Sequence, residues 1–89
     1  MEYLMDINAL RKEIDQIDEH ILDLLSKRAH YAIQIGNFKS QNELSIHSFD
    51  REEQIINNVV SKNVGPLTEN NLRSIFKQII DACRNLQIK

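Results

Sequence analysis

The sequence predicts an all-α fold of three helices per protomer, one long and two shorter. Three observations carry this. Breakers are scarce, with two glycines and one proline in 89 residues, which favours helices over a turn-rich sheet. Apolar residues between positions 7 and 38 recur at alternating steps of three and four, the period of a helix with a sustained seam. The clearest turn signal, Asn63-Val64-Gly65-Pro66, separates two further amphipathic stretches.

The first helix is written in Ile7, Leu10, Ile14, Ile17, Ile21, Leu24, Tyr31, Ile35 and Phe38, with Asp6 placed to cap its N-terminus. The polar segment 40–48 reads as a loop. A second helix starts near Ser48 or Phe49 and carries Ile55, Ile56, Val59 and Val60 on one face. Thr68 followed by Glu69 caps the third, whose stripe runs Leu72, Ile75, Phe76, Ile79, Ile80, Cys83 and Leu86.

Composition sets the outer limits. A chain of 89 residues with 42% apolar content is expected to form one domain, 1–89, around one modest core. The net charge of −2 gives no electrostatic footprint for nucleic acid or an anionic membrane. Charged residues interrupt every apolar stretch, so no membrane-spanning run is expected. The start MEYLMDINALRKE lacks the basic and apolar blocks of a secretion signal, which makes the cytoplasm the expected location. One cysteine, Cys83, excludes an internal disulfide and a multi-cysteine metal site. His20, His30 and His47 show no metal-ligand spacing and read as surface residues; no metal is expected.

The first helix also dictates an assembly. About 34 residues at ~1.5 Å rise make a rod of roughly 50 Å, whereas a compact monomer of this length spans only about 30 Å. Two shorter helices cannot cover such a seam, so a second copy is expected to, giving an intertwined two-fold homodimer.

Some residues break the pattern. Arg28 stands in the row Ile7, Ile14, Ile21, Ile35, where an isoleucine belongs. A snorkelling or register-setting arginine is one explanation; a guanidinium fork awaiting a carboxylate is the other. Arg11 and Lys39 lie on the flanking row with Asp18, Leu25 and Ala32, and are 28 residues apart, roughly 42 Å along a helix. Two antiparallel helices crossing near residues 22–23 bring Arg11 of one chain between Arg28 and Lys39 of the other. Each alone also reads as a solvated charge. Arg51, beside Glu52, opposes the dipole at the start of the second helix, which a ligand or an acidic partner would help explain; a surface charge pair is the plainer explanation. Gln87 shares a face with Phe76, Ile80 and Cys83, suggesting a directed hydrogen bond or a frayed end. Cys83 itself reads as a small core residue. The chain offers cations and hydrogen bonds, with no evident nucleophile, nucleophile elbow or phosphate-binding loop.

These pieces, taken in order, resemble a known family. ALR at 9–11, IDQIDEHILDLLSKR at 14–28, G-x-x-K at 36–39, DREEQII at 50–56, then FKQII at 76–80 and Gln87 are similar to the all-helical class of chorismate mutase over essentially the whole chain. The resemblance implies a three-helix protomer, an intertwined homodimer with two sites, the rearrangement of chorismate to prephenate, and no cofactor. By position it implies that Arg28, with Arg11 from the other subunit, holds the two substrate carboxylates. Lys39 and Gln87 would donate to the ether oxygen, Glu52 would accept from the ring hydroxyl, and Arg51 would lie near the carboxylates. Two positions depart from the commonest pattern: Ser48 stands where many members have aspartate, and Cys83 where some have a small hydroxyl residue. Ser48 should serve, since its backbone N–H is the group mainly used there, whereas Cys83 would cost one hydrogen bond to a carboxylate.

Two other functions fit less well. Isochorismate pyruvate lyase or an aminochorismate mutase uses the same fold, and Phe38-Lys39 also suits the lyase, but Arg51-Glu52 favours the mutase because Glu52 reads a hydroxyl. A catalytically silent dimerisation or regulatory module has no reason to keep Arg28 in a hydrophobic row.

Overall fold

The computed structural model describes residues 6–87, which form three α-helices and no strand. The helices are α1 (Ile7–Gln41), α2 (Phe49–Ser61) and α3 (Glu69–Gln87). Residues 1–5, part of the stretch read against a secretion signal, lie outside the described residues.

Local chemistry sets each boundary. The Asp6 carboxylate accepts from the Ala9 N–H at 2.9 Å and opens α1. The far end of α1 runs past the apolar seam: Ser40 and Gln41, expected in the loop, complete its last turn. The Leu44 N–H bonds the Lys39 carbonyl at 2.8 Å and the Glu43 N–H bonds that of Ser40 at 3.3 Å. This is a Schellman ending, with Glu43 at φ 54° where glycine is usual. Because the closing bonds are backbone bonds, hydrophobic period alone could not locate it.

Ser48 caps α2, its hydroxyl accepting from the Arg51 N–H at 3.3 Å. Aspartate and serine are comparable caps, so either residue would serve the same local purpose at this position. Thr68 and Asn71 cap α3 reciprocally, at 3.1 and 3.0 Å, a capping box with asparagine in the glutamate place. In the intervening turn Gly65 takes φ 81° and donates to Asn63 Oδ1 at 2.9 Å.

Helix α3 packs against both α1 and α2. The core is small: Ala32, Ile56, Leu72, Ile80 and Cys83 are buried. Gly36 is the second buried position on α1, and a Cβ there would lie 2.8 Å from Gln87 Cβ and 3.1 Å from its Cα. Only a glycine lets α1 and α3 approach so closely.

The rest of α1 projects without cover. Residues 10–27 are all exposed, including Ile14, Ile17 and Ile21, at 55%, 55% and 46%. The molecule measures 61 × 24 × 15 Å, with a radius of gyration of 17.1 Å against about 12 Å for a compact chain of this length. Its accessible surface is 7370 Å², where a compact 10.4 kDa monomer would have about 5400 Å². Among the described residues no helix is long and apolar enough to cross a membrane.

Candidate active site

The C-terminal half of α1, the start of α2 and the end of α3 enclose a cleft of about 260 Å³. Helix α1 contributes Arg28 and Lys39, α2 contributes Arg51 and Glu52 behind its cap Ser48, and α3 contributes Cys83 and Gln87. Ile35, Ile55 and Ile80 supply apolar wall. Arg11 is exposed and lies outside this cleft; it stands seventeen positions before Arg28 on α1, roughly 25 Å of helix.

Lys39 is half-buried, and its Nζ donates to the Ile46 carbonyl at 2.9 Å. The Schellman ending turns the loop back so that this carbonyl overlies the ammonium. An ammonium has three donors, so two remain for a ligand. Arg28 is half-buried at the opposite end of the α1 wall. Arg51 is exposed and donates from Nη1 to Gln54 Oε1 at 2.6 Å. Gln87 is pinned against Gly36, and its buried Oε1 has no hydrogen-bond partner among the described residues. Leaving a buried polar atom unpaired costs about 1–3 kcal/mol, so this amide is set for a ligand.

Among the described residues Glu52 is the only carboxylate lining the cleft, and its side chain is 15% exposed. Oε2 accepts from Arg84 Nη1 at 2.6 Å and lies 3.0 Å from His47 Nε2. Oε1 has, among the described residues, only Lys77 nearby, at 3.9 Å. His47, expected at the surface, is part-buried: it lies against Glu52 and stacks, tilted, on the exposed Phe49 with ring centroids 3.9 Å apart. Arg84 in turn bonds Asp81 at 3.1 Å. A hydrogen bond from Lys77, supported by the charge of Arg84, holds the Asp81 carboxyl below its ordinary value. Arg84 also lines the cleft, so four cationic side chains surround one carboxylate. Such an enclosure suits a small ligand with more than one negative charge and an apolar ring.

A family model described as chorismate mutase type II matches residues 10–88. The chain is 41% identical over 88 residues to the bifunctional chorismate mutase/prephenate dehydratase of Aquifex aeolicus, covering 94% of this chain and 24% of that protein. It is 31% identical over 86 residues to the protein of the same name from Stutzerimonas stutzeri, covering 91% and 24%. The solved chorismate mutase (form II) of Thermus thermophilus superposes with a TM-score of 0.90 at 34% identity, covering 91% of this chain and 92% of that one. The chain belongs to the chorismate mutase type II family. It spans about a quarter of the length of the curated relatives it matches.

Within a chorismate mutase fold, two residues around Glu52 escape the sequence reading. Arg84 carried a usable signal: it lies four residues after Ile80 and three before Gln87, a cation on the same face as the polar residue already singled out. His47 carried none, because its position depends on a loop conformation that no periodicity encodes.

Proposed function

We propose that the protein catalyses the rearrangement of chorismate to prephenate, as a cofactor-free homodimer in which residues 1–89 form one mutase domain. The observation that carries this is the convergence of Arg28, Lys39 and Gln87 from two helices on one part-apolar cleft, in a chain of this family. Chorismate is a dianion. Its rearrangement breaks the ether C–O bond while a C–C bond forms between the enolpyruvyl methylene and the ring, and no proton or electron is exchanged with the protein. The protein has two tasks: to hold the folded, near-attack conformer and to stabilise charge growing on the ether oxygen.

Arg28, with Arg51 nearby, clamps the substrate carboxylates, and Arg11 of the partner subunit completes the clamp. Lys39 and Gln87 donate to the ether oxygen; turning the Gln87 amide by 180° presents its NH2 where Oε1 now lies, and the two assignments are interchangeable. Glu52 Oε1 accepts from the ring hydroxyl. Ser48 and Cys83 line the carboxylate end. Dimerisation is supported by the uncovered α1 face and by roughly 2000 Å² of surface beyond that of a compact chain, the scale of an obligate interface. The expected setting is cytoplasmic synthesis of phenylalanine and tyrosine, in keeping with relatives named as joint chorismate mutase/prephenate dehydratases.

Incubation with chorismate and, separately, isochorismate tests the reading. Prephenate from chorismate is the expected product. Salicylate and pyruvate from isochorismate, without prephenate, would instead assign the lyase reaction, and inertness of the folded protein toward both would rule out the activity.

A further inference from the structure

We propose that Arg84 is a positioning residue for Glu52: it holds the carboxylate by one oxygen, so that the other faces the substrate, and offsets a negative charge next to a dianion. The inference rests on the mutase reading above. A carboxylate chosen to accept from a ring hydroxyl is in the same small cleft as the two carboxylates of the substrate. Like charges a few ångströms apart in a part-buried site repel strongly, so Glu52 by itself weakens binding of the molecule it is there to recognise.

The geometry around Glu52 answers that difficulty. Arg84 Nη1 approaches Oε2 to 2.6 Å, with both side chains largely buried, at 22% and 15% exposure. His47 Nε2 lies 3.0 Å from the same oxygen and 3.3 Å from Arg84 Nη1. Among the described residues all the close contacts fall on Oε2, and Oε1 has only the 3.9 Å approach of Lys77. A carboxylate held by one oxygen is fixed in rotation, and the free oxygen becomes a directed acceptor. Arg84 is itself fixed, because Asp81 holds Nη2 at 3.1 Å while Lys77 holds Asp81 at 3.0 Å. The positioning therefore runs through three side chains of α3 and ends on an α2 side chain. The role differs from those of Arg28 and Arg51: Arg84 acts on substrate through Glu52.

A double-mutant cycle tests this. Arg84→Met and Glu52→Gln are made singly and together, and kcat and KM for chorismate are measured after circular dichroism shows intact helix. Loss of one charged hydrogen-bond partner in a part-buried site is worth about 10- to 100-fold, and each single variant is expected to lose that much kcat/KM, mostly through KM. The double variant is expected within about threefold of Glu52→Gln alone, because Arg84 has nothing to act through once the charge is gone. Multiplying losses would mean that Arg84 contacts substrate directly or supports the fold independently, and would overturn the proposal. A near-wild-type Arg84→Met enzyme would overturn it too. If Arg84→Met melts below the assay temperature, Arg84→Lys and Arg84→Gln complete the same cycle. Lack of turnover by the unmutated protein would remove the mutase reading and this inference together, whereas turnover with multiplying losses removes only the inference.

Discussion

Arg28 and Lys39 were legible in the sequence because each violates a pattern: one replaces an isoleucine in the seam, the other closes a flanking row whose other cation, Arg11, is too distant to meet it within one chain. Their positions in one cleft follow from α1 being unbroken between them. Lys39→Ala is expected to lower kcat about 100- to 1000-fold, the usual effect of deleting one donor to a developing oxyanion, with the dimer still folded by circular dichroism. Near-wild-type turnover would remove Lys39 from the proposed chemistry. Arg28→Leu separates stability from function. It restores the apolar row, and exchanging a half-buried ion for a hydrophobe is often neutral or favourable, so Tm should hold or rise while calorimetric binding of chorismate is lost. Retained binding would reduce Arg28 to a structural role. The Arg84–Glu52–His47 cluster was less legible, because it depends on how α2 and α3 meet and on a loop between helices.

The three helices could be read from the sequence because their signals are local: a side-chain cap at Asp6, Ser48 and Thr68, and one apolar stripe each. The end of α1 was less visible. Its Schellman bonds use backbone groups, and Glu43 adopts the left-handed region without being a glycine. Gly36 shows how an element sets the site. It is the contact point of α1 with the end of α3, where a methyl group would meet Gln87 at 2.8 Å. Gly36→Ala gains about 1 kcal/mol of helix propensity, which offsets part of the clash. Its Tm is therefore expected to shift by only a few degrees. The propensity gain cannot return Gln87 to its place, however, and kcat should fall at least about tenfold, by analogy with other lost transition-state donors. Unchanged kcat in a folded Gly36→Ala protein would show that the end of α3 can relax without consequence.

At the scale of the molecule, elementary lengths decide what one chain can bury. A helix of 35 residues cannot be buried by partners of 13 and 19, and the structure shows the uncovered remainder as an exposed apolar face on a 61 Å rod. In the proposed homodimer a second copy covers that face and sets the position of Arg11 relative to the cleft. In the proposed enzyme this cleft rearranges chorismate only when a second chain supplies Arg11. Arg11→Ala and Arg28→Ala proteins, each inactive alone, are to be co-refolded from denaturant in equal amounts and assayed for prephenate formation. Random pairing in a symmetric dimer gives about half heterodimers. In each of these, one site carries both defects and the other carries none. The expected result is recovery to about a quarter of wild-type activity, and the contradicting result is a mixture of verified heterodimers as inactive as its parents.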